Sequence, residues 1–227
     1  MMRKIAAVAL LSLGSSLLWA QTDHTERLQR ATDIVQHMTS GAPDHGVPNE
    51  VLEGAKCVGV IPRLKKGAFV IGAEHGRGVA TCRTANGWSS PAPFETSGIS
   101  WGPQIGGKET DLLMFVMNDE GMNKLLSGHF KVGGDVSAVA GPVGRQGSAE
   151  AGWKAGILTY SNAKGAFIGA SLNGAELQAD EGATQAWFGR DVPFQDILTG
   201  KVKSTNAAAN EFVSAVAHAS GNARSER

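Results

Sequence analysis

Charge of one sign is the first thing this 227-residue chain lacks: 21 Lys and Arg balance 21 Asp and Glu. A nucleic-acid-binding chain normally carries a marked basic excess, so that class is excluded. Charged residues are also sparse, at 19% against 42% apolar, which excludes a disordered acidic or basic tail. Two Cys are too few to staple a scaffold of this size. After Ala20 the longest apolar run is Leu112–Met117, far short of the ~20 residues that a spanning helix needs. No HExxH or CxxC spacing occurs among the six His and two Cys, so a zinc site has no local signature and no cofactor is expected.

Glycine is what the chain has in excess, 30 residues, roughly twice ordinary usage. No three-residue period organises them, so collagen is excluded. At the N-terminus, Arg3 and Lys4 precede an uncharged apolar or small run, Ile5–Ala20. A basic start, a short apolar stretch and a small residue at its end describe a secretory signal peptide over 1–20. The alternative, a membrane anchor, is disfavoured by the length of the run and by Gly14, Ser15 and Ser16 inside it. No Cys lies near the cut, so no lipid anchor is expected. Cleavage leaves 21–227 at a net charge of −2, in a compartment that permits disulfides. Cys57 and Cys82 are expected to pair there, closing a loop of about 26 residues worth about 3.5 kcal/mol by chain entropy; two buried free thiols are the alternative.

Asp23 and Glu26 form a capping-box-like start, and Leu28, Ala31, Val35 and Met38 then share a helical face. A short second helix is expected within Pro48–Lys56. From Cys57 to about Trp101, Val, Ile and Phe runs alternate with Gly and Pro, the pattern of strands joined by tight turns, with Asn86-Gly87 the clearest hairpin. Leu112–Met117 reads as a strand buried on both faces. Asn118, Asp180, Pro193 and Ser204 or Thr205 open helices ended, for the first three, by Gly128, Gly189 and Gly200. The last helix is expected over about 204–220, with a frayed polar tail beyond it. Lys66–Ala73 echoes Lys164–Ala170, and each is read as a Gly-opened strand at a bending sheet edge. The expected fold is α+β: a strongly twisted, barrel-like, mostly antiparallel sheet, short flanking helices, and a helix at each end. One domain is expected over 21–227, its core at about 25–200.

Chemistry-bearing motifs are weak. Gly102–Lys108 matches part of a phosphate-binding loop, but Glu109 stands where a hydroxyl is needed, and a strand follows. Gly98-Ile99-Ser100-Trp101-Gly102 has the letters of a nucleophile elbow without the helix that must follow. Glu74, His75 and Asp111 are the first suspects for any acid–base site. Basic residues are more suggestive: Arg63, Lys65 and Lys66 lie beside Pro62, with Arg77 further on. Such side chains gain about 1 kcal/mol each near an anionic membrane surface.

Taken in order, Lys56–Pro62, Lys66–Phe69, Gly76–Gly78, Asn86–Ala92, Gly102–Gly107, Asp111–Met117, Phe130–Gly133, Ala140–Arg145 and Tyr160–Gly165 resemble the SYLF-domain family. The resemblance runs from about Thr25 to Leu198. It implies a non-enzymatic lipid-binding module; eukaryotic members are associated with phosphoinositide membranes and, in fungi, with actin filaments. For an exported bacterial chain the implied partner is an anionic phospholipid or membrane surface, not actin. The residues implied in contact are Arg63, Lys65, Lys66 and Arg77, with Leu28 and Val35 as the apolar component. A periplasmic enzyme and an envelope structural protein without a ligand are the competing readings.

Overall fold

The structure is a computed structural model that describes residues 25–37, 46–68, 71–101, 106–142, 154–163, 166–169, 172 and 174–225. The expected signal peptide, 1–20, lies outside the described residues. Helix α1 is described over 25–37 and α2 is Asn49–Gly54. Five strands follow: β1 Cys57–Ala68, β2 Ile71–Thr84, β3 Gly87–Trp88, β4 Ala92–Trp101 and β5 Gly106–Val116. Then come α3 Asp119–Leu126, β6 His129–Lys131, β7 Ala138–Ala140, β8 Ile157–Ala163, β9 Ala166–Gly169 and β10 Ala175–Ala179. Helices α4 Glu181–Phe188, α5 Phe194–Leu198 and α6 Ala207–Ser225 complete the order. The fold is α+β. Its strands form one curled half-barrel in the order β6-β10-β4-β2-β1-β5-β8-β7, with β3 on β2 and β9 on β8. Only β7–β8 pairs in parallel among these strand pairs.

Helix ends follow local chemistry. Asn118 Oδ1 accepts from Gly121 N at 2.9 Å, Asp180 Oδ1 accepts from Ala183 N at 2.8 Å, and the positive φ of Gly128 and Gly189 ends the respective turns. At α6 the cap is Asn206, whose Oδ1 accepts from Ala208 N at 2.9 Å; Ser204 supports it by accepting from Asn206 N. The helix continues to Ser225, beyond the expected end near 220. Arg83 holds the C-terminal end of α2 by donating to the carbonyls of Ala55, Leu52 and Glu53, and its guanidinium stacks 4.5 Å from the Trp88 ring centroid.

The sheet buries both faces. On the outer face, α1, α2 and α6 bring Leu28, Val51 and Phe212 onto Val58, Val60 and Phe115. The inner face gathers Ile61, Phe94 and Met114 with Leu125 of α3 and Ile197 of α5. Leu112–Met117 is buried throughout, as its unbroken apolar run predicts. Much of the glycine content serves close packing. A Cβ at Gly78 would stand 2.4 Å from the Phe94 ring, and one at Gly141 would stand 2.0 Å from Cζ of Tyr160. Tyr160 is held by a 2.9 Å hydrogen bond donated to Pro142 O and an edge-on contact with Phe115, and burial pushes its phenol well above the ordinary range. With no room for the ring to retreat, Gly141→Ala is expected to cost about 1–3 kcal/mol by overpacking. A shift of the urea midpoint checks this; an unchanged midpoint would show that the ring moves freely.

One expectation changes and one choice is settled. The echoing Lys66–Ala73 and Lys164–Ala170 segments are not single strands. Each spans a hairpin, β1–β2 with Ala68 opposite Gly72, and β8–β9 with Ala163 opposite Ala166. Gly67, Gly72 and Gly169 stand at paired positions within these strands. Cys57 and Cys82 face each other across β1–β2 with their sulfurs bonded, so the open choice between bridge and free thiols falls to the bridge.

Candidate functional site

The cleft is created by an irregularity in β1. Between Val60 and Lys65, β1 uses one residue more than β2, and the same extra residue appears against β5 between Ile61 and Leu64. This bulge carries Arg63 at φ 49°, an uncommon conformation for a non-glycine residue, and Asp111 Oδ1 accepts its backbone N–H at 3.0 Å. Its effect is to exchange the faces. Cys57 and Ile61 point inward before it, and Leu64 and Lys66 point inward after it, whereas unbroken alternation would send Lys65 into the core. Lys65 emerges instead on the outer face, between strands that carry His75 and Arg77.

The first turns of α1 stand over this stretch and close a cleft of about 240 Å³ lined by Glu26, Arg27, Arg30, Arg63, Lys65 and Arg77, with Pro62, His75 and Gly76 completing the wall. Four of the five cations have carboxylates nearby. Arg30 pairs with Glu26 at 2.7 Å, Arg77 with Glu95 at 3.1 Å, and Arg63 reaches Glu26 and Glu109 at 3.8 and 4.0 Å. These are exposed pairs, individually worth about 0–1 kcal/mol and readily exchanged for another anion. Lys65 has no ion-pair partner among the described residues.

Arg27 differs from the others. It is only 6% exposed, and its Nη1 donates to Asp180 Oδ2 at 2.9 Å while the guanidinium lies 5.8 Å from the Trp187 ring centroid. Its Nη2 is buried without a hydrogen-bond acceptor among the described residues. A buried charged donor left unmet is costly, so the ion pair with Asp180 carries most of what holds this guanidinium in place.

The structure brings some of the residues singled out in the sequence together and separates others. Arg63, Lys65 and Arg77 come together. Lys66 does not join them: the bulge turns it to the inner face, where it pairs at 2.9 Å with Glu74, itself 6% exposed. Leu28 and Val35, expected as an apolar membrane contact, are 0% and 1% exposed, because the α1 stripe is used against the sheet. They have no surface to offer a bilayer. Arg27 and Arg30 were missed; their i, i+3 spacing on the flank of the Leu28 and Ala31 stripe is the signal that points to them. The suspected acid–base set separates, since Glu74 faces inward while exposed His75 lines the outer cleft. Ser100 lies within a paired strand, opposite Gly72, not on a strand-to-helix elbow; of the loop candidate Gly102–Lys108, 102–105 lie outside the described residues and Gly106–Lys108 begin β5. Among the described residues no three His, Cys, Asp or Glu side chains gather closely enough to hold a metal.

A family profile described as "Las17-binding protein actin regulator", named Ysc84, matches residues 97–219, more than half of the chain. The chain belongs to the Ysc84 (SYLF) family. LAS seventeen-binding protein 3 of Saccharomyces cerevisiae is 34% identical over 167 residues, covering 70% of this chain and 36% of that protein. Human SH3 domain-containing YSC84-like protein 1 is 28% identical over 180 residues, 76% of this chain and 52% of that one. The SYLF chain thus spans about a third to a half of the length of these relatives. The first name describes a protein that binds LAS seventeen, and the second a protein that contains an SH3 domain.

Proposed function

We propose that this SYLF domain is a non-enzymatic membrane-binding module of the bacterial envelope that receives anionic lipid headgroups in the cleft between α1 and the outer sheet face. The observation that carries this reading is the convergence of Arg27, Arg30, Arg63, Lys65 and Arg77 on one opening. A headgroup phosphate gives Lys65 a counter-charge and competes with Glu26, Glu95 and Glu109 for the exposed arginines. Binding of this kind is reversible and falls with salt. Export through the basic and apolar segment at 1–20 is part of the same proposal, as is the envelope location.

Co-sedimentation with vesicles tests the reading. Phosphatidylcholine containing phosphatidylglycerol is expected to recover the protein, and phosphatidylcholine alone is not. The double change Lys65→Glu with Arg77→Glu is expected to reduce recovery at least about tenfold. Lys66→Met, on the inner face, is expected to leave it unchanged. Equal recovery on neutral and anionic vesicles would end the proposal.

A further inference from the structure

We propose that the domain docks on an anionic bilayer through the helix-free half of its outer sheet face, with Ile99 of β4 entering the lipid beside the cleft. This rests on reading the cleft as a headgroup site. Helix α1 covers the outer face where Val58, Val60 and Val79 stand; beyond the bulge no helix among the described residues lies over the strands. There Lys65, Gly67, Ala73, Arg77, Ser97 and Ile99 are all exposed. Gly67, Ala73 and Ser97 keep this surface low, and from it Ile99 projects at 65% exposure, the one large hydrophobic side chain so exposed among the described residues.

A single exposed aliphatic residue needs no explanation by itself. Its position supplies one. Ser97 pairs with His75 and Ile99 with Ala73, so Ile99 sits about 7 Å along and about 5 Å across from the His75 wall of the cleft. A membrane plane that brings phosphates to Lys65 and Arg77 therefore brings Ile99 to the boundary between headgroups and acyl chains. At Ile99 the strand β4 is paired with β2, opposite Ala73, and its register with β10 ends one residue earlier, at Gly98 opposite Ala175. The cationic border makes the complementary occupant an anionic lipid surface. With Leu28 and Val35 committed to the core, this sheet face takes over the apolar contact that the α1 stripe cannot make.

The test uses the full chain with vesicles of phosphatidylcholine, with or without phosphatidylglycerol. Ile99→Asp is expected to lower partition onto the anionic vesicles at least about fivefold, with an unfolding midpoint like that of the unaltered protein. A polarity-sensitive fluorophore on Ile99→Cys is expected to shift to the blue on anionic vesicles only. If Ile99→Asp partitions normally, or the emission does not move, while Lys65→Glu with Arg77→Glu still abolishes binding, the docking face is overturned and the headgroup reading stands. If the unaltered protein ignores anionic vesicles, both fall. A dimer broken by Ile99→Asp, without vesicle binding, would assign the face to a second copy of the chain and overturn the proposal.

Discussion

Asp180→Ala is expected to lower the unfolding free energy by about 3–5 kcal/mol, the largest effect of any single substitution considered, because it leaves Arg27 buried without its counter-charge. The pair links the two ends of the domain. Arg27 lies on α1, and Asp180 accepts from it with Oδ2 while capping α4 with Oδ1. Their side chains are 5% and 12% exposed, so water does little to replace a lost partner. Removal of the cap adds to the loss, in the direction of about 1 kcal/mol. Arg27→Met is expected to cost less than Asp180→Ala, since it removes the buried charge itself and leaves a carboxylate with a cap to satisfy. The double variant should lose less than the sum of the two. Urea denaturation with an unchanged slope is the appropriate measurement. A midpoint for Asp180→Ala near that of the unaltered protein would mean that Arg27 finds another acceptor.

The second large effect belongs to the bridge between Cys57 and Cys82. Cys57→Ala with Cys82→Ala is expected to cost about 3.5 kcal/mol from loop closure in the unfolded chain alone. Both residues are buried in the inner core, so packing loss adds to that figure. A reductant should have little action on the folded protein and should lower the urea midpoint strongly once denaturant opens the core. The same midpoint with and without reductant would show that the bridge does not contribute.

Helix positions were legible because their signals are local. Asn118 and Asp180 cap the helices that their side chains predict, and Gly128, Gly189 and Gly200 stop helices with positive φ. The strand content and the Cys57–Cys82 pairing were equally readable, since alternation, turn residues and parity carry them. What was not legible depended on partners distant in sequence. The β1 bulge exists because β1 must pair with both β2 and β5, and nothing in Pro62-Arg63-Leu64 announces which residue is extra. That one residue decides that Lys65 faces the cleft and Lys66 the interior, so a cluster of three basic residues was divided by geometry invisible to spacing. The α1 stripe was read correctly as apolar but assigned to the wrong side of the molecule. A stripe states that something covers it; only the sheet beneath identifies what.

Hydrogen exchange measured by mass spectrometry, with and without anionic vesicles, tests the headgroup cleft most directly. Added protection is expected at the first turns of α1 around Glu26–Arg30, at the Pro62–Lys65 bulge and at His75–Arg77, with none on neutral vesicles. Protection confined to other surfaces, such as α3 or α6, or no difference between the two vesicles, would contradict it.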